Sequence, residues 1–487
     1  MICRRLDTPT PTNVGVTGSR LCRKVGKRAF LPSDSAVLGN QDNPPADAGT
    51  GLTEEPPSFV QKVGILATDW ASDQNHHSPP LQGRSNAVKR LRFGQVSGVL
   101  ASDSGARMAL ASLILARVFY ATNWLNVGAI YKLMSATLGG GVVGLGTLTS
   151  SFYLGVGLVQ VPAGVLAAKL GPKKVVVWGI LISSSATMGL AVCTTVWEAA
   201  AFRFVVGSGM AMVFAPAVVL VARFVGQGRA GAGVGIFNSA YNIGGLIGLY
   251  GWVVIATMEG WQTGLLLSGG IGLATCAGVL RFVPGSDAGD PGPVTRPLLR
   301  IIGDPQLILL GLGTLGITVA NVLIANFMVY YLNSTLAVPL DTSGLVASLL
   351  VVLPIASSVF GGRLYDRTRR PRLIMLATAL GLVLSLVLPS YPSVLAAALG
   401  AAIGGVASGI GFTTAFAWSR DLNPLGREYD GLAIAWVNGI SLTGAFIPPI
   451  VFSYFVGEAG YSAAWLAGAG MCLAFSLPMV FQKEKGD

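Results

Sequence analysis

The chain is 487 residues long, 52% apolar and only 11% charged, with a formal net charge of +11. Soluble domains carry about 25% charged residues, so an ordinary soluble globular protein is excluded and the composition points to a bilayer. The five cysteines (Cys3, Cys22, Cys193, Cys276, Cys472) and the two histidines (His76, His77) lack metal-ligand spacing. A disulfide framework and a zinc site are therefore excluded as well, and no metal or cofactor is expected.

Residues 1–105 hold many prolines and mixed charge, without an apolar run of spanning length or a signal-peptide core. This composition predicts a disordered leader, or a start assigned upstream of one near Met108. Within it, residues 4–28 are arginine-rich and acid-poor, a weak likeness to organelle-targeting peptides.

From Met108 onward twelve apolar segments follow, at 108–134, 142–168, 173–194, 197–225, 231–257, 261–283, 306–332, 343–365, 372–389, 391–419, 430–456 and 461–481. Each is near the length of about 20 residues that a helix needs to cross a bilayer. The stretch from Pro284 to Pro305 is the only long polar break. The expected organisation is a leader (1–105), a six-helix half (106–284), a cytoplasmic linker (285–305), a second six-helix half (306–482) and a cytoplasmic tail (483–487).

Alternate loops carry the basic residues: Lys169, Lys173 and Lys174; Arg223 and Arg229; Arg281, Arg296 and Arg300; five arginines from Arg363 to Arg372; Arg420 and Arg427. The intervening loops hold almost nothing basic beyond Lys132. By the positive-inside rule the basic loops and both termini face the cytoplasm of a multi-pass protein in the cell membrane. The positive charge is thus a topology signal, and no nucleic-acid partner is expected.

One basic turn is written twice. Gly164, Leu166, Ala168, Lys169, Gly171 and Lys173 of the first copy answer to Gly362, Leu364, Asp366, Arg367, Arg369 and Pro371 of the second. The spacing Gly235, Asn242, Gly248 recurs as Gly431, Asn438, Gly444, and Ser208-Gly209 recurs as Ser408-Gly409. Tyr131-Lys132-Leu133 likewise has a counterpart in Tyr330-Tyr331-Leu332. These matches indicate a parallel repeat, the plan of many secondary transporters.

Over residues 108–482 the chain resembles the major facilitator superfamily, whose turn reads Gly-x-Leu-x-Asp-Arg-x-Gly-Arg-Arg. Ala168 stands where the family has aspartate, and Arg369 replaces the second glycine, while Asp366 and Arg367 are kept. Arg203, Gly207 and Gly209 match an Arg-x-x-x-Gly-x-Gly pattern of the family's fourth span; the Gly-Pro form of the fifth-span motif, typical of its exporters, is absent. The resemblance implies an all-α membrane protein of twelve transmembrane helices in two six-helix pseudo-repeats. It implies secondary active or facilitative transport of a small solute by alternating access, monomeric and without enzymatic activity. Gly164, Lys169, Gly171, Arg203, Gly207, Asp366 and Arg367 are its candidate gating or latch residues.

Charges at membrane depth are costly and mark function. Two arginines qualify, Arg117 and Arg203, and no aspartate or glutamate falls inside a span away from its ends, Glu198 and Glu259 lying at the outer ends of spans four and five. Arg117 lies ten residues past Arg107, about 15 Å along a helix, near the midplane where such transporters hold substrate. The missing anion is then read as the substrate, an organic or inorganic anion forked by Arg117. Asn123, Asn126, Asn242, Asn321 and Asn438 are the candidate hydrogen-bond partners. The alternative for Arg117 is a bond to backbone carbonyls or snorkelling. Exchange, facilitated diffusion and a proton carried with the anion all stay open. Competing readings are a multidrug or metabolite exporter and a non-transporting receptor or scaffold. Trp197, Trp261, Tyr391 and Tyr461 read as interface anchors, and Tyr153, Tyr241, Trp418 and Trp436 as lining a cavity or facing lipid or other helices.

Overall fold

The computed structural model describes residues 104–224, 230–285, 295–426 and 430–482. The expectations for the leader up to residue 103, for the tail 483–487, and for Arg229 and Arg427 lie outside the described residues. Every element among the described residues is helical, as lipid requires of backbone that cannot hydrogen-bond to solvent.

Ten helical runs are long and apolar enough to cross a membrane. One of them, Asp430–Phe481, is 52 residues long and is broken at Gly460 (φ 82°) into spans eleven and twelve. A further helix of 19 residues, Pro172–Leu190, forms span three. Dividing the one and adding the other brings the described crossings to the twelve expected. Spans one and two are Ser104–Leu138 and Gly141–Leu170, and span six is Trp261–Phe282. After a short linker helix at Thr295–Ile302, span seven is Pro305–Leu336. Spans nine and ten are built on Pro371–Val387 and Val394–Asp421.

Four spans are interrupted, span eleven at Ala445-Phe446 between Asp430–Gly444 and the helix that starts at Ile447. Span four divides into Val196–Ala211 and Phe214–Phe224, and span eight into Leu340–Val352 and Pro354–Thr368. Proline has no N–H and clashes with the carbonyl four residues back, so Pro216 and Pro354 account for breaks at Met212-Val213 and Leu353. Span five runs through Ala230–Leu246, a π turn at Ile247–Gly251, and Trp252–Glu259. Helix starts are fixed locally. Thr195 and Glu198 form a capping box ahead of span four, and Asp304 accepts from the backbone N–H groups of Gln306 and Leu307 at 2.9 and 3.0 Å ahead of span seven.

The repeat is visible in backbone geometry. Gly260 (φ 86°) joins spans five and six, and Gly460 (φ 82°) joins eleven and twelve. Gly171 (φ 90°) ends span two, and Arg369 (φ 53°) ends span eight. The second basic turn therefore kept the left-handed residue and lost the glycine that suits it. Arg369→Gly is expected to stabilise the protein by about 0.5–1 kcal/mol, the left-handed penalty less the extra chain entropy of glycine. A melting curve of the purified protein checks this, and an unchanged or lower Tm would contradict it.

In spans four and ten the structural register differs from the sequence match. A methyl built on Gly207 would lie 2.1 Å from the Phe152 carbonyl oxygen, and one on Gly405 2.7 Å from that of Leu349 and 3.2 Å from Leu350 Cα. Gly207 and Gly405 are separated by the same interval as Gly164 and Gly362, as are Phe152 and Leu350. On that register Gly209 answers to Ala407, so pairing Ser208-Gly209 with Ser408-Gly409 is out by two residues.

The two halves approach most closely at mid-depth and on the face opposite the basic turns. Added methyls on Gly128, Gly146 and Gly344 would lie 2.8 Å from Asn326 Cα, 2.8 Å from the Pro449 carbonyl oxygen and 2.4 Å from that of Leu249. At mid-depth, Gly157 backs onto Thr443 Cα at 2.8 Å and Gly245 onto Val351 at 3.1 Å by the same measure. The Ser150 hydroxyl donates to the Phe446 carbonyl at 2.7 Å across this seam.

Candidate functional site

Arg117 projects from span one into the packed interior, with 7% of its surface exposed. Its guanidinium carbon lies 4.3 Å from the ring centre of Phe214, 4.7 Å from those of Tyr120 and Tyr241, and 5.3 Å from that of Phe237. The four rings come from spans one, four and five, and the break in span four delivers Phe214 as the first residue of its second segment. Such face contacts stabilise a desolvated cation by about 2 kcal/mol or more, but they satisfy no N–H. Arg117 Nε and Nη1 are buried without a hydrogen-bond partner, and no backbone carbonyl among the described residues accepts from this side chain.

Arg203, 2% exposed, is placed differently. Its Nη1 donates to the Asn123 carbonyl at 3.2 Å, and its guanidinium sits 4.3 Å from the Phe152 ring centre. Its Nε has no partner. The two arginines are joined by a continuous aromatic wall. Tyr120 packs on Trp124 at 5.2 Å, and Trp124 meets Phe152 at 4.8 Å and Tyr153 at 5.6 Å, both edge-on. The Trp124 indole N–H donates to the Tyr153 hydroxyl at 2.9 Å.

The asparagines fall into three groups. Asn123 is a structural junction. Its amide donates to the Phe119 carbonyl at 3.1 Å, and its Oδ1 accepts from the hydroxyls of Thr187 (3.1 Å) and Ser268 (3.0 Å). It thereby ties span one to spans three and six, and to span four through Arg203. Asn321, on the matching turn of span seven, donates to the Ile317 carbonyl and to Ser408 Oγ at 2.7 Å. Asn126 is fully buried, and neither of its polar side-chain atoms has a partner. Asn242 and Asn438 are half-buried, on spans five and eleven. Asn123→Ala is expected to strand the Ser268 hydroxyl, while Thr187 keeps the Ser183 carbonyl at 2.8 Å, lowering stability by about 1–3 kcal/mol. Thermal unfolding should register that loss, and an unchanged Tm would remove Asn123 from this role.

The candidate latch residues do not converge. Asp366 and Arg367 are exposed and make no hydrogen bond or ion pair with the described residues. The carboxylate engaged beside this turn is Asp421 of span ten, which accepts from the Tyr365 hydroxyl at 2.6 Å. In the first turn Lys169 is exposed and Gly164 has open space around it, while Lys173 Nζ donates to the Leu280 carbonyl at 3.0 Å, closing the end of span six. Gly207 presses span four on span two.

Sequence reading missed Tyr120, Trp124, Phe152, Phe214 and Phe237. The spacing of Arg117, Tyr120 and Trp124 on one helix face was the available signal. Trp197 and Tyr391 are exposed as interface anchors would be, but Trp261 is buried (5% exposed) against the core, and Tyr461 packs on Tyr331 at 5.0 Å. Two cavities open elsewhere. One of about 410 Å³ is apolar and lies among spans eight, nine and ten; one of about 310 Å³ lies between spans two and eleven beside Gln160 and Trp436. Neither is lined by Arg117 or Arg203.

The sequence profile of the Major Facilitator Superfamily matches residues 113–331 and 310–486, and the chain belongs to that family. A probable galactarate/D-glucarate transporter of Escherichia coli is 23% identical over 375 residues, 67% of this chain and 82% of that protein. An uncharacterised MFS-type transporter of Methanocaldococcus jannaschii is 30% identical over 155 residues, 31% of this chain and 40% of the relative's own length. Among solved structures, the nucleoside transporter NupG superposes with a TM-score of 0.65 at 14% identity, covering 77% of this chain and 99% of NupG. A bacterial homologue of the human lysosomal transporter Spinster, inward-facing and unoccupied, gives 0.61 at 17% identity, covering 78% and 96%. Both structural likenesses concern the fold alone. The protein is an integral membrane transporter of a small solute.

Proposed function

We propose that the transported solute is a small anion and that Arg117 is its principal contact. The observation that carries this reading is a buried guanidinium with two unpartnered nitrogens and no carboxylate beside it. A charge so placed calls for a counter-charge, and a transported anion supplies one in each cycle. The likeness to a probable galactarate/D-glucarate transporter supports the anion class, at 23% identity. Asn126, buried and unpartnered, and the half-buried Asn242 and Asn438 remain the candidate hydrogen-bond partners; Asn123 and Asn321 are engaged within their own halves.

On the positive-inside rule the basic turns are cytoplasmic and the protein is oriented in the cell membrane with both termini inside. On this reading the glycine seam serves as a closed outer gate, which is the arrangement of an inward-facing state. Rocking of the two halves about the mid-depth contacts at Gly157 and Gly245 exchanges this state for an outward-facing one. A proton or a counter-substrate is a candidate for coupling the cycle.

The test is thermal stabilisation of the purified protein by anionic, neutral and cationic solutes. Anions alone should raise Tm. Stabilisation by cations or neutral solutes instead would overturn the reading.

A further inference from the structure

Resting on the proposed anion site, we infer that its ligand is a monocarboxylate with a planar, apolar body, such as an aromatic acid, rather than a polyhydroxylated diacid. The first argument is charge. Of the two buried arginines among the described residues, Arg117 has a guanidinium free of backbone partners, whereas Arg203 is committed to the Asn123 carbonyl. Trp124 and Phe152 stand between the two. A second carboxylate on the ligand would meet aromatic rings instead of a cation.

The second argument is hydrogen-bonding capacity. The surface joining the two arginines is made of Tyr120, Trp124, Phe152, Phe214, Phe237 and Tyr241. Its one indole N–H is spent on Tyr153, which leaves as the polar groups beside Arg117 the Tyr241 hydroxyl and the Tyr120 hydroxyl, the latter already in hydrogen-bonding contact with the guanidinium. A sugar acid brings a hydroxyl on nearly every carbon, and each left unpaired on leaving water weakens binding. A flat apolar body loses nothing there and gains offset or edge-to-face ring contacts. The two remaining hydroxyls suit the carboxylate oxygens that the guanidinium does not hold.

The experiment is calorimetric titration of the full-length protein with benzoate, acetate, galactarate, inorganic phosphate and the neutral isostere benzamide, in wild type, Arg117→Gln and Tyr241→Leu. Benzoate should bind about tenfold or more tighter than galactarate, phosphate or acetate, with benzamide weak. Tyr241→Leu should weaken acetate through the lost hydroxyl and benzoate by more, through hydroxyl and ring together, so that the benzoate-to-acetate ratio shrinks, an outcome that a general folding defect would not give. Galactarate or phosphate binding as tightly as benzoate, and lost in Arg117→Gln, would overturn the ring-selective inference and leave the anion site standing. Benzamide binding as well as benzoate in wild type and in Arg117→Gln would overturn the anion site itself. Absence of binding by every carboxylate would overturn both.

Discussion

Arg117→Gln is expected to abolish anion-dependent stabilisation and transport. Glutamine is shorter and neutral, and its amide cannot hold a carboxylate in a bidentate fork. Truncating one partner of a buried, hydrogen-bonded charge pair costs about 2–5 kcal/mol of binding, a loss of affinity of about thirtyfold or more. Without ligand, the same variant should unfold no earlier than wild type, because the ring contacts it gives up are outweighed by removal of a buried cation whose Nε and Nη1 are unsatisfied. Opposite signs in the two measurements separate a ligand-binding arginine from a structural one. Arg117→Lys should recover only part of the affinity, since the ammonium retains charge but not the planar fork. Uptake into proteoliposomes and melting curves with and without ligand would check all three statements. Full retention of affinity in Arg117→Gln would end the anion-site reading.

Gly128→Leu is expected to hold the outer gate open. A methyl at this position already falls 2.8 Å from Asn326 Cα, 2.9 Å from its Oδ1 and 3.1 Å from its carbonyl oxygen. Two of those three atoms are backbone, so the clash is relieved by moving span seven away from span one. Overpacking costs about 1–3 kcal/mol and is charged only to the state in which the seam is shut. The equilibrium should therefore shift toward the outward-facing state by about five- to 160-fold, and turnover should fall with it. Tyr330, 9% exposed and 6.0 Å from Tyr131 across the seam, offers the readout. A Tyr330→Cys reporter, with the native cysteines replaced, should react faster with an impermeant maleimide when Gly128→Leu is added. Equal labelling rates and normal turnover would show that the seam is not the gate.

The parts of this architecture that depend on one-dimensional pattern were legible beforehand. Span lengths, the polar break after Pro284 and the alternation of basic loops follow from how far a helix travels and where lysine and arginine prefer to sit. Arg117 and Arg203 stood out because a charge in an apolar run has few innocent explanations. What stayed hidden was assembled from several spans at once. Nothing local to Phe214, Phe237 or Tyr241 marks them as neighbours of Arg117, and only the folded bundle brings them within 5.3 Å of it. Asn123 looked like a ligand contact because its type and depth were right, yet Thr187 and Ser268 occupy its carbonyl. The register slip in span ten has a plain cause: the stretch from Gly400 to Gly411 offers several glycines to align, and composition alone does not choose among them. Asp366 drew attention through the family pattern, whereas Tyr365 reaches Asp421 on another span.

The π turn at Ile247–Gly251 has a consequence for how this transporter can diversify. A π turn holds one residue more than the α-helix it interrupts, and one residue corresponds to about 100° of rotation in an α-helix. Tyr241 lies before the turn and Trp252 after it, and the Thr122 hydroxyl holds the Gly244 carbonyl at 3.1 Å just ahead of the turn. Deleting a single residue there would rotate one flank of the span against the other, swinging Phe237 and Tyr241 together away from Arg117 or turning Trp252 out of the core. Indels at this point therefore act as a dial on ligand preference, one that a survey of substitutions alone would never turn.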